Sequence, residues 1–192
     1  PTRYADRADR SVALLFGDAG SATLLERREA GDETPDWSFV LHTDGAGADD
    51  LIIRAGGFRD RFCAATRQHY VSMNGSGVFN FTIRVIPPLV RDTLELAGIG
   101  KDDVDCFIFH QSNRFIMNHL VKKLALAPER APVILEEFGN TGGPSVPLTI
   151  TQSGFARPAD RAARLMLLGY GVGLSWGSAL VDVAPDCRIV HT

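Results

Sequence analysis

The feature that most constrains this sequence is a short apolar run at residues 104–109 (VDCFIF), because a segment of helical character follows it almost at once. Six such residues suit a buried strand, whereas residues 113–124 carry apolar side chains at helical spacing. Residues 164–168 and 174–181 are further apolar runs of strand length. Strands that alternate with helices along a chain are buried in layers between them. The sequence therefore predicts a layered α/β fold.

The rest of the chain predicts further elements. Residues 76–97 have a broad apolar face at helical spacing, and Pro87-Pro88 should kink or split that helix. Apolar runs flanking a Gly-Asp-Ala-Gly turn predict a hairpin. The runs are residues 11–16 and 21–26; residues 37–43 and 132–135 are also predicted strands, residues 145–156 a helix, and residues 48–71 a mobile excursion.

Composition excludes several classes of function. The 192 residues carry a net charge of -3, which gives no general reason to bind nucleic acid or an anionic membrane. The longest apolar runs are far shorter than the ~20 residues of a membrane-spanning helix. Three widely spaced cysteines, Cys63, Cys106 and Cys187, predict neither a disulfide framework nor a metal site and fit a reducing cytoplasm. Pro1 opens a segment with no signal-peptide character, as if the sequence were cut from a longer protein.

Two polar residues stand where chemistry is expected. His110 follows the strand at residues 104–109 directly, and ligands of open α/β sheets bind at the carboxyl ends of strands. The alternative is a buried histidine that begins the next helix, although the polar residues after it favour a site. Asn140 lies in a glycine-rich run (FGNTGG), where the alternative is an ordinary turn asparagine.

Two glycine-rich loops do not predict nucleotide binding. Residues 17–20 (GDAG) and 169–173 (GYGVG) are each followed by a predicted strand. A nucleotide loop leads instead into a helix whose N-terminus holds the phosphates.

Four segments together resemble the ketoacyl-ACP synthase III family. They are residues 15–22 (LFGDAGSA), 110–113 (HQSN), 138–141 (FGNT) and 169–178 (GYGVGLSWGS), in that order. The resemblance extends over about residues 9–183 and is weakest at residues 48–71.

The resemblance implies a thiolase-like, layered α/β/α fold. It assigns residues 1–45 to the last strands of an N-terminal thiolase-like half, residues 46–72 to a connecting excursion, and residues 73–192 to the C-terminal half. The family enzymes are homodimers, which implies the same assembly here.

The resemblance also implies a reaction, the decarboxylative Claisen condensation. An acyl group from coenzyme A is loaded onto a cysteine thiolate and is attacked by the carbanion formed from malonyl-ACP, with no metal or cofactor. The triad is Cys-His-Asn, and His110 and Asn140 match the histidine and the asparagine. Both would donate hydrogen bonds to the malonyl thioester oxygen as negative charge develops.

Three more positions are implied to bind substrate. Val172 stands at the loop position whose backbone N–H forms an oxyanion hole; the family often has glycine there, so valine would narrow the acyl pocket. Asn113 would lie along the pantetheine route, and Ser76 stands where the family usually has asparagine.

Carrier-protein docking is implied for one helix. Arg114, Lys122 and Lys123 lie on residues 113–124, and the two lysines match family lysines that receive the acidic carrier. Phe115 occupies the position of the family arginine, and Arg114 stands one residue early. The alternative for these cations is a solvated helical face.

The nucleophile is the missing part. The family cysteine lies upstream of the segment that matches residues 15–22, so it would precede Pro1. We expect this chain alone to be inactive. Two alternatives remain: a non-catalytic partner subunit that uses the fold for dimerisation, and an acyltransferase of the same fold that never decarboxylates malonate. The cost of burying two polar side chains without purpose argues against the partner subunit.

Overall fold

A computed structural model describes residues 1–25, 36–155, 158 and 160–191. Its regular structure consists of six strands and four α-helices, together with five short 3₁₀-helices. The strands are β1 (Ser38–Thr43), β2 (Leu51–Ile53), β3 (Val71–Met73), β4 (Cys106–Phe109), β5 (Ala163–Gly171) and β6 (Ser175–Val183). The helices are α1 (Gly75–Ala97), α2 (Arg114–Lys123), α3 (Leu135–Phe138) and α4 (Ser145–Gln152).

Four strands form one mixed sheet in the order β1-β6-β5-β4. β4 runs parallel to β5, while β6 is antiparallel to both β5 and β1. The β5–β6 hairpin is long because β5 continues through Gly171, so the glycine-rich run that was expected to be a loop is mostly strand. β4 is buried throughout and parallel to β5. The chain therefore leaves the carboxyl end of β4 through a helical connection and not through a tight hairpin.

Helices cover both faces of this sheet. One face packs against α1 and α2 through the larger apolar core, which includes Phe81, Ile86, Leu89, Phe107, Phe109, Met117, Leu120, Met166 and Leu168. The other face packs against α4 through a smaller cluster of Cys106, Ile108, Ala163, Leu165 and Val181, with Val146 and Ile150 of the helix. These layers confirm the predicted α/β class. None of the helices in the described ranges is long and apolar enough to cross a membrane.

The two prolines do not split α1, contrary to one of the two expected outcomes. The helix is continuous from Gly75 to Ala97. Pro87 has no N–H to bond the carbonyl of Ile83 four residues earlier. Lys123 of α2 compensates, because its Nζ donates to the Ile83 carbonyl oxygen at 3.0 Å.

The hairpin predicted near the N-terminus is wrong. Residues 11–15 form turns, Phe16 makes a single parallel bridge to Asn140, and no strand forms at residues 17–25. Glu26 lies outside the described residues. Leu14 is 90% exposed and Leu24 is 83% exposed, so these apolar side chains lie against no neighbouring strand of the described chain.

Two further predictions differ from the structure. Residues 132–135 form no strand, because the Gln111 side chain takes the hydrogen bonds that a strand would have offered to a neighbour. Its Nε2 donates to the Pro132 carbonyl oxygen and its Oε1 accepts from Ile134 N, each at 3.2 Å. The excursion at residues 48–71 is more regular than expected, since β2 at its start pairs antiparallel with β3.

Candidate active site

His110 lies at the carboxyl end of β4, as the sequence predicted. Its backbone N–H donates to the Leu168 carbonyl oxygen at 2.7 Å, which extends the pairing with β5 by one residue. The half-buried imidazole points its Nδ1 at Ser145 Oγ, 2.7 Å away at the start of α4. Ser145 Oγ also accepts a hydrogen bond from Gln111 N at 3.2 Å.

The contact with Ser145 bears on which nitrogen of His110 carries the proton. The Ser145 hydroxyl proton needs an acceptor, and His110 Nδ1 is the acceptor that the described residues offer. With Nδ1 accepting, a neutral imidazole carries its proton on Nε2. Burial lowers the pKa of His110 from 6.5 to about 4, and a backbone hydrogen bond with Gly142 opposes this shift more weakly. Burial therefore favours a neutral imidazole at neutral pH, and an accepting Nδ1 at Ser145 is compatible with a proton on Nε2.

Asn140 is held by a distant segment of the chain. Its backbone N–H donates to the Leu15 carbonyl oxygen, and its own carbonyl accepts from Gly17 N, both at 2.9 Å. Gly17 has no room for a side chain, because a Cβ there would overlap the carbonyl oxygen of Phe138. The parallel bridge thus fixes the loop that carries Asn140.

The carboxamide of Asn140 is oriented as well as buried. Its Oδ1 accepts from Gly142 N at 2.9 Å, so the oxygen faces its own turn and the NH₂ group is the end left for a ligand. This is an Asx-type turn, as the alternative reading of the sequence expected. The turn and a donor role coexist, because they use opposite ends of one amide.

Three hydrogen bonds connect the two candidate residues. Ser145 N donates to the Gly142 carbonyl oxygen at 3.1 Å. The path therefore runs from His110 through Ser145 and Gly142 to Asn140. Both side chains belong to one hydrogen-bonded unit, and their joint action on one oxygen atom stays a prediction.

The predicted substrate residues lie at helix starts. Asn113 caps α2, because its Oδ1 accepts from Ile116 N at 2.8 Å. Ser76 is exposed in the first turn of α1, and its hydroxyl donates to Asn74 Oδ1 at 2.9 Å. Each side chain thus has a local structural role, and contact of either with substrate stays a prediction.

The three cations of α2 are not equivalent. Arg114 forms an ion pair with Glu136 at 2.6 Å. Lys123 donates to the Ile83 carbonyl oxygen. Lys122 is exposed and makes no side-chain hydrogen bond or ion pair with the described residues. Phe115 is exposed and lies against Phe79, with ring centroids 5.0 Å apart.

An open cavity of about 600 Å³ lies on the sheet face that α4 leaves uncovered. Phe39, Leu41 and Leu167 line it, as does Val172 from the turn between β5 and β6. Leu41 is 76% exposed, so this apolar surface faces outward in the chain as it stands. Val172 thus reaches a cavity, although His110 and Asn140 are not among its lining residues.

Neither Cys63 nor Cys106 hydrogen-bonds to His110 or Asn140 in the described part of the chain. Burial raises the pKa of the Cys106 thiol to about 11, so it stays protonated in the core. Cys63 lies 3.6 Å from Gln68 Oε1 in the excursion, and Cys187 is exposed. The described residues also contain no cluster of three histidine, cysteine or acidic side chains that could hold a metal ion.

Sequence reasoning missed three residues that build the site. Ser145 binds the imidazole, Gly17 anchors Asn140, and the buried Tyr170 places its ring edge-on to His110 with centroids 5.3 Å apart. A signal for Ser145 existed, since it is the first residue of a helix that follows the FGNTGG run. The contact with Gly17 joins positions more than a hundred residues apart and has no local signal.

Two family models match this chain. The model described as 3-oxoacyl-[acyl-carrier-protein (ACP)] synthase III C terminal matches residues 94–183, and the one described as 3-oxoacyl-[acyl-carrier-protein (ACP)] synthase III matches residues 1–48. The first begins within α1 and contains His110, Asn140 and the β5–β6 hairpin. The second ends just after β1.

Curated relatives carry the same family name. The beta-ketoacyl-[acyl-carrier-protein] synthase III of Gloeobacter violaceus is 38% identical over 187 residues, which cover 93% of this chain and 55% of that protein. The corresponding protein of Symbiobacterium thermophilum is 37% identical over 176 residues, covering 88% of this chain and 52% of the relative. The chain spans about half the length of the curated relatives it matches.

Solved structures agree on the fold. The 3-oxoacyl-(acyl-carrier protein) synthase of Burkholderia xenovorans has a TM-score of 0.78 and 38% identity, over 96% of this chain and 54% of the other. The beta-ketoacyl-[acyl carrier protein] synthase III of Thermus thermophilus has a TM-score of 0.81 and 30% identity, over 96% and 56%. The expected thiolase-like fold is confirmed, and the chain belongs to the beta-ketoacyl-[acyl-carrier-protein] synthase III family.

Proposed function

We propose that this chain supplies the histidine and asparagine of a condensing site that joins an acyl group from acyl-CoA to malonyl-ACP. The observation that carries the proposal is the orientation of the two donors. The contact with Ser145 is compatible with a neutral His110 that carries its proton on Nε2, and Gly142 leaves the NH₂ end of Asn140 toward a ligand. Two oriented neutral donors suit an oxygen that gains negative charge.

The reaction needs such donors at one step. Loss of CO₂ from the malonyl thioester leaves an electron pair on the α-carbon that delocalises onto the thioester oxygen. Hydrogen bonds from His110 and Asn140 stabilise that enolate, each by about 3 kcal/mol in a site that excludes water. The carbanion then attacks the acyl-cysteine carbonyl, a C–C bond forms, the C–S bond breaks, and the thiolate is released. A protonated His110 would also hydrogen-bond the enolate, but a neutral one avoids stabilising the malonyl carboxylate that must leave.

We assign the cysteine thiolate to chain outside these 192 residues. Family membership supports this, because the relatives are about twice as long. Two structural features agree. The hydroxyl of Thr141, next to Asn140, is buried with no hydrogen-bond partner among the described residues. The apolar sheet face around Phe39 and Leu41 is open beside α4. Both fit a further segment of protein packing at this site.

The implied partners belong to the same proposal: acyl carrier protein, a coenzyme A thioester and a second copy of the chain. Lys122 is the docking candidate that the structure supports best, because Arg114 and Lys123 already bond within the chain. The route of the pantetheine arm past Asn113 and Ser76, and the oxyanion hole at the backbone of Val172, are further parts of the proposal.

The test separates the two half-reactions in the complete enzyme, meaning this chain together with the segment that provides the cysteine. We expect His110→Ala and Asn140→Ala each to lower condensation with malonyl-ACP by about a hundredfold or more. Loading of the acyl group from acyl-CoA onto the cysteine should persist in both variants, because neither residue is the nucleophile. His69→Ala, at a partly buried histidine outside the proposed site and the proposed docking helix, is the matched control.

The alternatives are outcomes of that test. Unchanged condensation in both variants would make the chain a non-catalytic partner. A product that retains the malonyl carboxyl group by mass spectrometry, or that contains no malonyl carbon, would make the enzyme an acyltransferase of the same fold. Turnover by the 192-residue chain alone would overturn the assignment of the nucleophile.

A further inference from the structure

Tyr170 buries a hydroxyl group directly behind His110. The residue lies near the end of β5, and its ring meets the imidazole edge-on at an interplanar angle of 76°. Its hydroxyl donates to the backbone carbonyl oxygen of His110 at 3.2 Å. The same hydroxyl lies 2.9 Å from the buried Ser112 Oγ. One tyrosine therefore contacts both the ring and the main chain of the candidate catalytic histidine.

The direction of these hydrogen bonds follows from a proton count. Burial raises the pKa of Tyr170 well above its usual value of 10, so the phenol keeps its single proton. That proton lies on the bond to the His110 carbonyl, which accepts and cannot donate. Ser112 must then donate its own proton to the phenol oxygen. The His110 carbonyl also accepts from Ser112 N at 3.0 Å, which closes the arrangement.

Packing alone does not require these hydroxyls. Phenylalanine would fill nearly the same volume as Tyr170, and alanine would nearly fill the place of Ser112. A buried hydroxyl without a partner costs about 1–3 kcal/mol, whereas a matched pair of apolar groups is close to neutral. The two hydroxyls satisfy each other and deliver one extra hydrogen bond to the main chain at His110.

We infer that Tyr170 and Ser112 are positioning residues for His110. Ser145 holds the imidazole at Nδ1, while Tyr170 holds its backbone and one edge of the ring. The imidazole is thus held from two sides, which fixes the direction in which Nε2–H is aimed. This inference rests on the proposed condensing function, because aim matters only where His110 donates to a reacting oxygen.

The experiment compares Tyr170→Phe, Ser112→Ala and the double variant in the complete enzyme. Measurements are the rates of acyl loading and of condensation, and the free energy of unfolding. Tyr170→Phe should lower condensation about tenfold, since small displacements of a catalytic group are costly. Acyl loading should stay within about twofold of wild type, because the inference gives Tyr170 no part in that half-reaction. Tyr4→Phe, on an exposed tyrosine, is the matched control.

The double variant separates positioning from stability. It leaves no unpaired hydroxyl, so its free energy of unfolding should return toward wild type while condensation stays about tenfold low. Recovery of condensation together with stability would overturn the inference, as would wild-type condensation by Tyr170→Phe.

A second readout does not depend on the proposed function. The Ser112 N–H donates to the His110 carbonyl. Its hydrogen exchange should be faster in Tyr170→Phe than in Tyr4→Phe, because loss of the hydrogen bond from the Tyr170 hydroxyl lowers the free energy of local opening around His110. Equal exchange would refute the positioning role. If exchange responds but the wild-type enzyme does not condense, or His110→Ala condenses normally, the proposed function fails instead.

Discussion

Outside the immediate site, Gly17 should be the residue that tolerates an added side chain least. Its N–H and the N–H of Asn140 form the two hydrogen bonds that hold the Asn140 loop. A Cβ at Gly17 would overlap the Phe138 carbonyl oxygen, which is backbone and cannot rotate away. Losing two hydrogen bonds at about 1 kcal/mol each, with the strain of an overpacked contact, predicts that Gly17→Ala lowers the free energy of unfolding by about 3 kcal/mol.

The matched control is Gly20→Ala in the same Gly-Asp-Ala-Gly run, where a Cβ would have no atom within 4 Å. Urea unfolding should show a loss of about 3 kcal/mol for Gly17→Ala and less than about 0.5 kcal/mol for Gly20→Ala. In the complete enzyme, Gly17→Ala should also impair condensation more than acyl loading, since the displaced residue is Asn140. Equal stability of the two variants would refute the view that this bridge holds the loop.

Three further outcomes are expected. Lys123→Met should lower the free energy of unfolding by about 1 kcal/mol, because the Ile83 carbonyl loses its donor, whereas Lys122→Met should not change it; equal urea midpoints would contradict this. His110 contributes a pH dependence: its pKa falls from 6.5 when unfolded to about 4 when folded, so the unfolded state binds the proton first. The free energy of unfolding should therefore fall by about 3 kcal/mol as pH drops from 6.5 through 4, a fall that a His110→Asn variant lacks in matched urea titrations. Ser145→Ala should shift the His110 proton toward Nδ1 in ¹⁵N NMR spectra, and an unchanged tautomer would refute the hydroxyl's role.

The features that the sequence predicted well depend on residues close together in the chain. The apolar residues of β4 are buried throughout, and the polar group that follows them had to emerge at the end of that strand. The position of His110 follows from this alone. Asn113 was likewise placed at the start of a helix, where its side chain now caps α2. Burial and helix ends depend on neighbours along the chain, which the sequence displays.

Two of the failures share a physical cause, which is hydrogen bonding supplied from far along the chain. Residues 132–135 read as a strand, but the side chain of Gln111 bonds their backbone groups instead. Pro87-Pro88 was expected to kink or split α1, but the helix is not split, and Lys123 supplies a donor to the carbonyl that Pro87 leaves open. In both cases a polar side chain replaces a backbone hydrogen-bond partner, and the spacing of apolar residues in the sequence does not predict such a replacement.

The same cause explains why the sequence identified the candidate residues of the site but not their orientations. His110 and Asn140 were predicted as hydrogen-bond donors. His110 could not donate from Nε2 if its proton were on Nδ1, and Asn140 could not donate to a ligand if its amide were turned around. The contacts with Ser145 and Gly142 bear on those two orientations, and neither contact was evident from composition or spacing. Because each orientation depends on a single hydrogen bond to a neighbour, the chemistry of the site is as sensitive to these neighbours as to the donors themselves. Variants of Ser145 and Gly142 should therefore lower condensation although neither residue is proposed to touch the substrate.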